Sequence, residues 1–173
     1  MSDMFHARTH LCTCFKLRKL TRAMSRLYDQ HLAEVGLKIT QYSVLANMAR
    51  ASLPVAELAE ELGSERTTLT RNLKPLINAG WVRLASAPDA RQKVVTLTDA
   101  GLAKLQQAQP YWRRAQDEIE ATLGTDSVRA LHLALETSLT SLTLLTSLTS
   151  LTSLTTPTEP SPPTKERDHV EHQ

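Results

Sequence analysis

Between Ser64 and Lys74 the chain sets two guanidinium groups, one amine and four hydroxyls against a single acid, Glu65. On a helix with Leu69, Leu73, Leu76 and Ile77 turned inward, the free face presents Thr67, Thr68, Arg71, Asn72 and Lys74. These groups suit a nucleic acid. Threonine hydroxyls reach phosphates or base edges, their methyls touch thymine methyls, and arginine reads guanine with two parallel hydrogen bonds. A second polar cluster, Asp89-Ala90-Arg91-Gln92-Lys93, lies between two strand-like runs. Asp89 can pair with Arg91 and aim it, and an arginine on an extended loop is what insertion into a minor groove requires. Taken singly, Arg71, Lys74 and Arg91 read more readily as solvated charge. Their order along the chain favours DNA.

Cys12 and Cys14 flank Thr13 where a first helix is expected to begin. If both are helical they point about 200° apart, so a bond within the pair is not expected. Lys16 and Arg18 put positive charge beside them, the setting in which thiols become reactive. Three readings stay open: two inert thiols near a dimer interface, a redox switch, or a metal site shared with His6 and His10. No metal and no cofactor is assigned.

These groups need elements to hold them. Leu17, Leu20, Met24, Leu27, Leu32 and Val35 repeat every three to five positions and predict a long amphipathic helix over 11–35, stopped by Gly36. Thr40 is expected to cap a second helix that runs to Ala51. Pro54 starts a short third helix, 55–62, closed by Gly63. The fourth begins at Ser64 or Glu65 and ends before Gly80, with Pro75 bending it. The runs 81–84 and 94–97 predict a hairpin, and Thr98 caps a fifth helix over 99–123. Gly124 stops that helix, and a sixth starts at Thr125-Asp126.

The expected fold is therefore mainly α: six helices with a two-stranded β-wing, in the order of a winged helix-turn-helix. A long first helix with a wide apolar stripe needs a partner, so an obligate homodimer is expected, and two recognition helices one DNA turn apart match a symmetric site.

The 173 residues carry a formal charge of only +2, but the average conceals contrasts. Residues 6–26 hold six bases and no acid, and residues 64–93 hold six bases against two acids. Two cysteines build no disulfide scaffold, no apolar run is long enough to span a membrane, and 1–14 has no apolar signal-peptide core. A cytoplasmic location is expected. Catalysis is not: there is no phosphate loop, no Gly-x-Ser-x-Gly and no His-Glu-x-x-His, and Asp117, Glu118 and Glu120 read as a solvated face.

Residues 138–156 repeat Ser-Leu-Thr, with Leu144 breaking the pattern once. Steps of three fall about 60° short of a turn, so these leucines spiral around a helix and form no stripe. The first triplets are expected to extend helix six and the later ones to fray. Residues 157–173 hold four prolines and a net charge of −2, and are expected to be disordered.

Residues 55–101 resemble the DNA-binding lobe of the multiple antibiotic resistance regulator (MarR) family. The likeness rests on Val55-Ala56-Glu57-Leu58-Ala59, on 66–73, on Asp89-Ala90-Arg91 and on Val95-Thr96-Leu97-Thr98-Asp99-Ala100-Gly101. In element order it covers 11–137, with a DNA-binding lobe at 40–98 and dimerisation helices at 11–35 and 99–145. The resemblance implies a DNA-binding transcriptional regulator, usually a repressor, on a palindromic operator. It implies a homodimer whose first, fifth and sixth helices intertwine. The residues it points to are Ser64, Arg66, Thr67, Thr68, Thr70, Arg71, Lys74, Asp89, Arg91 and Lys93. Glu65 stands where many members have Asp, which leaves Ser64 as the expected cap.

Cys14-Phe15-Lys16-Leu17 resembles the reactive-cysteine segment of members that sense organic hydroperoxides, with Arg18 in place of their Tyr. Other members hold aromatic anions, for which Tyr42, Trp112 and Arg113 are the candidates here. A non-regulatory architectural or partition protein is the alternative, and selectivity for one operator separates the two.

Overall fold

The computed structural model describes residues 12–86 and 93–153. Its elements are α1 (Thr13–Leu32), a 3-10 turn (Ala33–Val35), α2 (Ile39–Met48), β1 (Leu53–Pro54), α3 (Val55–Glu61), α4 (Arg66–Asn78), β2 (Val82–Ser86), β3 (Lys93–Leu97), α5 (Asp99–Leu123) and α6 (Thr125–Ser153). The chain is mainly helical, with six α-helices among the described residues. It divides into two compact units at Thr125, the first carrying α1 to α5 and the sheet.

The sheet has three antiparallel strands in the order β1-β3-β2, where two were expected. β2 pairs with β3 from Val82↔Leu97 to Ser86↔Lys93. On the other edge Leu53 and Pro54 lie against Val95 and Val94. Two residues carry no period-2 signal, so this strand is invisible to pattern reading, and a proline is tolerated because it lies on the sheet edge. β1 leads directly into α3 and so anchors the start of the helix-turn-helix to the wing.

Leu58 of α3, Leu69, Leu73 and Leu76 of α4, Val44 and Leu45 of α2, and Val82 and Val95 of the sheet form one buried core, to which α1 adds Leu32 and α5 adds Ala108. Leu69, Leu73 and Leu76 follow i, i+4, i+7, which leaves the opposite face of α4 to solvent. Pro75 costs one amide, yet α4 continues to Asn78, where Ala79 N–H bonds to the Pro75 carbonyl at 3.0 Å.

Helix α2 corrects its expected cap. Thr40 lies inside it, and the helix ends at Met48, short of Ala51. Lys38 holds the cap position and its amide donates to Gln41 Oε1 at 2.9 Å, while the Ile39 amide donates to Asp29 Oδ1 of α1 at 2.7 Å. The cap is long-range, which local sequence does not reveal. Thr98 does cap α5 as expected, accepting from Gly101 N–H at 3.0 Å. Its hydroxyl donates to the Gly80 carbonyl at 2.7 Å, tying α5 to the end of α4.

In the second unit α6 is unbroken to Ser153, against the expected fraying of the later triplets. Leucine is a strong helix former. The hydroxyls of Thr137, Ser141 and Thr146 bond back to carbonyls three or four residues earlier, which satisfies them inside the helix. Leu139, Leu142, Leu144 and Leu145 are all exposed, as a spiral of leucines requires. The tail 157–173 lies outside the described residues.

Candidate nucleic-acid interface

Helix α3 ends in a tight turn. Gly63 adopts φ 55°, a left-handed conformation that costs a side chain-bearing residue about 1 kcal/mol. Its amide bonds to the Glu60 carbonyl at 2.9 Å, and the Ser64 amide to Ala59 at 2.8 Å. Glu65 holds the cap position of α4, but neither it nor Ser64 caps the helix. The Ser64 hydroxyl instead reaches the Glu65 carbonyl at 3.4 Å. The first-turn amides of α4 thus have no side-chain acceptor, and a helix N-terminus in that state favours an anion.

Arg66, Thr67, Thr68, Thr70, Arg71 and Lys74 are all exposed on α4, and Ser64 is half-buried beside its start. The Thr70 hydroxyl donates to the Arg66 carbonyl at 2.8 Å, so toward a ligand it offers its methyl and its lone pairs. Arg66, Thr70, Lys74 and Asn78 line one side of an open groove of about 390 Å³, and Leu84 and Lys93 of the wing line the other. Among the described residues the groove is lined by three cations and no acid. None of the three forms an ion pair with a described residue. Thr67, Thr68 and Arg71 lie outside this groove on the exposed side of α4. Asp89 and Arg91 lie outside the described residues, whereas Lys93 opens β3 opposite Ser86.

Asn78 and Leu84 belong to the groove and were not anticipated. Period-2 alternation puts Leu84 on the face of buried Val82, but the core runs out before it does, and Leu84 is 41% exposed. On α3, Glu57, Glu60 and Glu61 are exposed together, so the acids of this lobe collect on a different helix from its cations.

The thiols sit elsewhere. Cys12 is not helical (φ −69°, ψ 112°) and Cys14 lies in the first turn of α1, which removes the premise that both sit on one helix. Both are exposed and line one open cleft of about 650 Å³ with Phe15, Arg18, Lys19 and Arg22. Among the described residues no three His, Cys, Asp or Glu groups gather as metal ligands. His6 and His10 lie outside the described residues.

The aromatic candidates are already packed. Trp112 stacks on Tyr42 at 5.9 Å and on Tyr28 at 6.4 Å between ring centroids. Burial raises the Tyr28 pKa, with Glu120 and Tyr42 adding to it, and the phenol donates to Gln116. Burial raises the Tyr42 pKa as well, against an opposing pull from Arg113. Glu118 is exposed, as a solvated face requires, and its Oε2 also lies 2.8 Å from His31 Nε2 of α1.

A tight-turned helix pair, a cationic second helix and an adjoining hairpin define a winged helix-turn-helix protein. The MarR family model matches residues 35–92. The multiple antibiotic resistance protein MarR of Salmonella typhimurium is 32% identical over 119 residues, 66% of this chain and 81% of that protein. The chain belongs to the MarR family of winged-helix transcriptional regulators. Among solved structures, the M. tuberculosis transcriptional regulator MosR in complex with DNA matches with a TM-score of 0.66 and 39% identity, over 76% of this chain and 98% of that one. A mutant of E. coli MarR complexed with operator DNA matches with a TM-score of 0.68 and 26% identity, over 76% and 96%.

Proposed function

We propose that this regulator is a repressor that binds a palindromic operator as a homodimer, working in the cytoplasm where the DNA is. The observation that carries the reading is the groove between α4 and the wing, where Arg66, Lys74 and Lys93 form no ion pair with a described residue. In this reading Arg66, Lys74 and Lys93 hold phosphates, while Thr67, Thr68, Thr70 and Arg71 face base edges. Ser64 stands at the helix entrance, and Arg91, aimed by Asp89, enters the minor groove. The solved complexes of MosR with DNA and of MarR with operator DNA support the reading by likeness. An open apolar groove between α1 and α5, lined by Leu20, Met24, Leu27, Ile119 and Leu123, supports the dimer.

Fluorescence anisotropy with the duplex upstream of the protein's own gene tests this. Binding should survive excess scrambled duplex and weaken steeply with salt. Equal competition by the scrambled duplex would favour an architectural role. Arg91→Ala should weaken binding about tenfold, within the range of about 1–3 kcal/mol typical of one good base contact. Unchanged affinity would remove Arg91 from the interface.

Oxidation of Cys12 and Cys14 is the proposed switch. Both thiols are exposed in a cleft shared with three cations, so a peroxide reaches them directly. Two of the residues named for an aromatic ligand, Tyr42 and Trp112, by contrast already stack on each other. Peroxide should shift operator affinity of the parent protein and leave a Cys12→Ser, Cys14→Ser double variant unmoved. Equal shifts in both would place the sensor elsewhere.

A further inference from the structure

Three contacts from the last turn of α1, at Tyr28, Asp29 and His31, tie it to α5 and to α2, and each uses a polar or aromatic group. Tyr28 stacks on Trp112 of α5, which stacks in turn on Tyr42 of α2. Asp29 accepts the Ile39 amide, the first of α2, at 2.7 Å. His31 pairs with Glu118 of α5. Helix α2 contributes Val44, Leu45 and Met48 to the same core as Leu69, Leu73 and Leu76 of α4. A tilt of α2 therefore moves α4 with it, because a close-packed core transmits displacement.

The chain between the two helices passes through Gly36 at φ 66°. Covalent continuity alone allows α2 to swing about such a turn. Val35 and Leu37 are buried beside it, but an apolar contact sets no direction. The Asp29 carboxylate does. It is a charge-assisted acceptor aimed at the positive end of α2, and Lys38, which holds the cap position, has no acceptor in its side chain.

We propose that Asp29 is a positioning residue for DNA recognition. By capping α2 from α1 it fixes the angle of the lobe against the long helices, and so the distance between the two recognition helices of a dimer. Asp29 touches no DNA itself. The proposal rests on dimeric operator binding and makes a separate prediction, because a positioning role appears in spacing and not only in affinity. Two rigid lobes tolerate one half-site separation, whereas two loosened lobes tolerate several.

The test measures full-length protein against a series of palindromic duplexes whose half-sites are moved apart or together by one and two base pairs. The parent protein should bind one spacing at least tenfold better than its neighbours, and failure of that control sinks dimeric operator reading and not the role of Asp29 alone. Asp29→Ala should weaken the best spacing by about fivefold to thirtyfold, the range set by loss of one helix cap. It should also compress the preference among spacings to within about threefold. Asp29→Asn, which keeps an acceptor oxygen, should restore most of the discrimination. Should Asp29→Ala fold poorly, Asp29→Leu, which keeps the side-chain shape and removes both acceptor oxygens, should flatten the same profile, and Tyr42→Leu, which keeps the cap, should not. Loss of affinity by an equal factor at every spacing, or a parent-like profile in folded Asp29→Ala, overturns the proposal.

Discussion

Operator binding should be lost when Arg66 and Lys74 are both replaced by glutamate. Each residue is exposed, faces the groove beside the wing and lacks an ion-pair partner among the described residues, so reversal breaks no ion pair among them. In a dimer the change turns four positive charges into four negative ones beside a polyanion. Affinity should fall by at least about a thousandfold, into the range of non-specific binding. The milder Arg66→Ala, Lys74→Ala pair makes the cause visible. If each cation neutralises one phosphate, the slope of log affinity against log salt should become shallower by about 3.6, at roughly 0.9 for each of four contacts. Anisotropy titrations between 0.05 and 0.2 M salt read both numbers. Circular dichroism checks that the helices survive. A parent-like slope in the alanine pair would show that these cations face solvent and not DNA.

Most of the helical frame was legible because its signals are local. Leu69, Leu73 and Leu76 announce a helix with one buried face, Gly63 and Gly124 mark ends, and Thr98 sits where a cap belongs. The features with no local signal depend on residues distant in sequence. Ile39 finds its acceptor ten positions back, on another helix. β1 exists only because β3 offers an edge to Leu53 and Pro54. Ser-Leu-Thr triplets form no stripe, yet α6 continues through them to Ser153, with the hydroxyls of Ser141 and Thr146 satisfied within the turn below.

The site divides in the same way. The exposed face of α4 follows from the spacing of its leucines, so the cationic residues on it could be named from sequence. Which of them share a groove with the wing could not. That depends on the hairpin register, which sets Lys93 opposite Ser86 and leaves Leu84 partly uncovered. The thiols show the reverse case. Helical geometry would set them about 200° apart, but Cys12 is extended, and both open into one cleft.

Gly101→Ala should be the most damaging single substitution in the frame, although Gly101 has no unusual backbone conformation. A Cβ built there lies 2.0 Å from the Trp81 carbonyl oxygen and 2.7 Å from Leu97 Cδ1. The first obstacle is backbone and cannot rotate away. The same carbonyl accepts the Thr98 amide at 3.1 Å, so the methyl can enter only by prising the first turn of α5 off the start of the wing. That movement also strains the bonds from the Thr98 hydroxyl to Gly80 and from Gly101 to Thr98. Overpacking of this kind costs about 1–3 kcal/mol and occasionally more, and loss of the cap adds about 1 kcal/mol. A total of about 2–4 kcal/mol is a large share of a stability of roughly 5–15 kcal/mol, and Tm should drop by about 5–15 °C. Thr98→Val, which removes the hydroxyl without the clash, should cost only about the cap. Gly63→Ala should cost about 1 kcal/mol for its positive φ, because nothing lies within 4 Å of the added methyl. Thermal unfolding of the three variants should therefore rank Gly101→Ala well below the other two. A Tm for Gly101→Ala equal to that of Gly63→Ala would mean that α5 and the wing are not locked at Trp81. In that case the Leu-Thr-x-x-Gly exit would owe its glycine to something other than close approach.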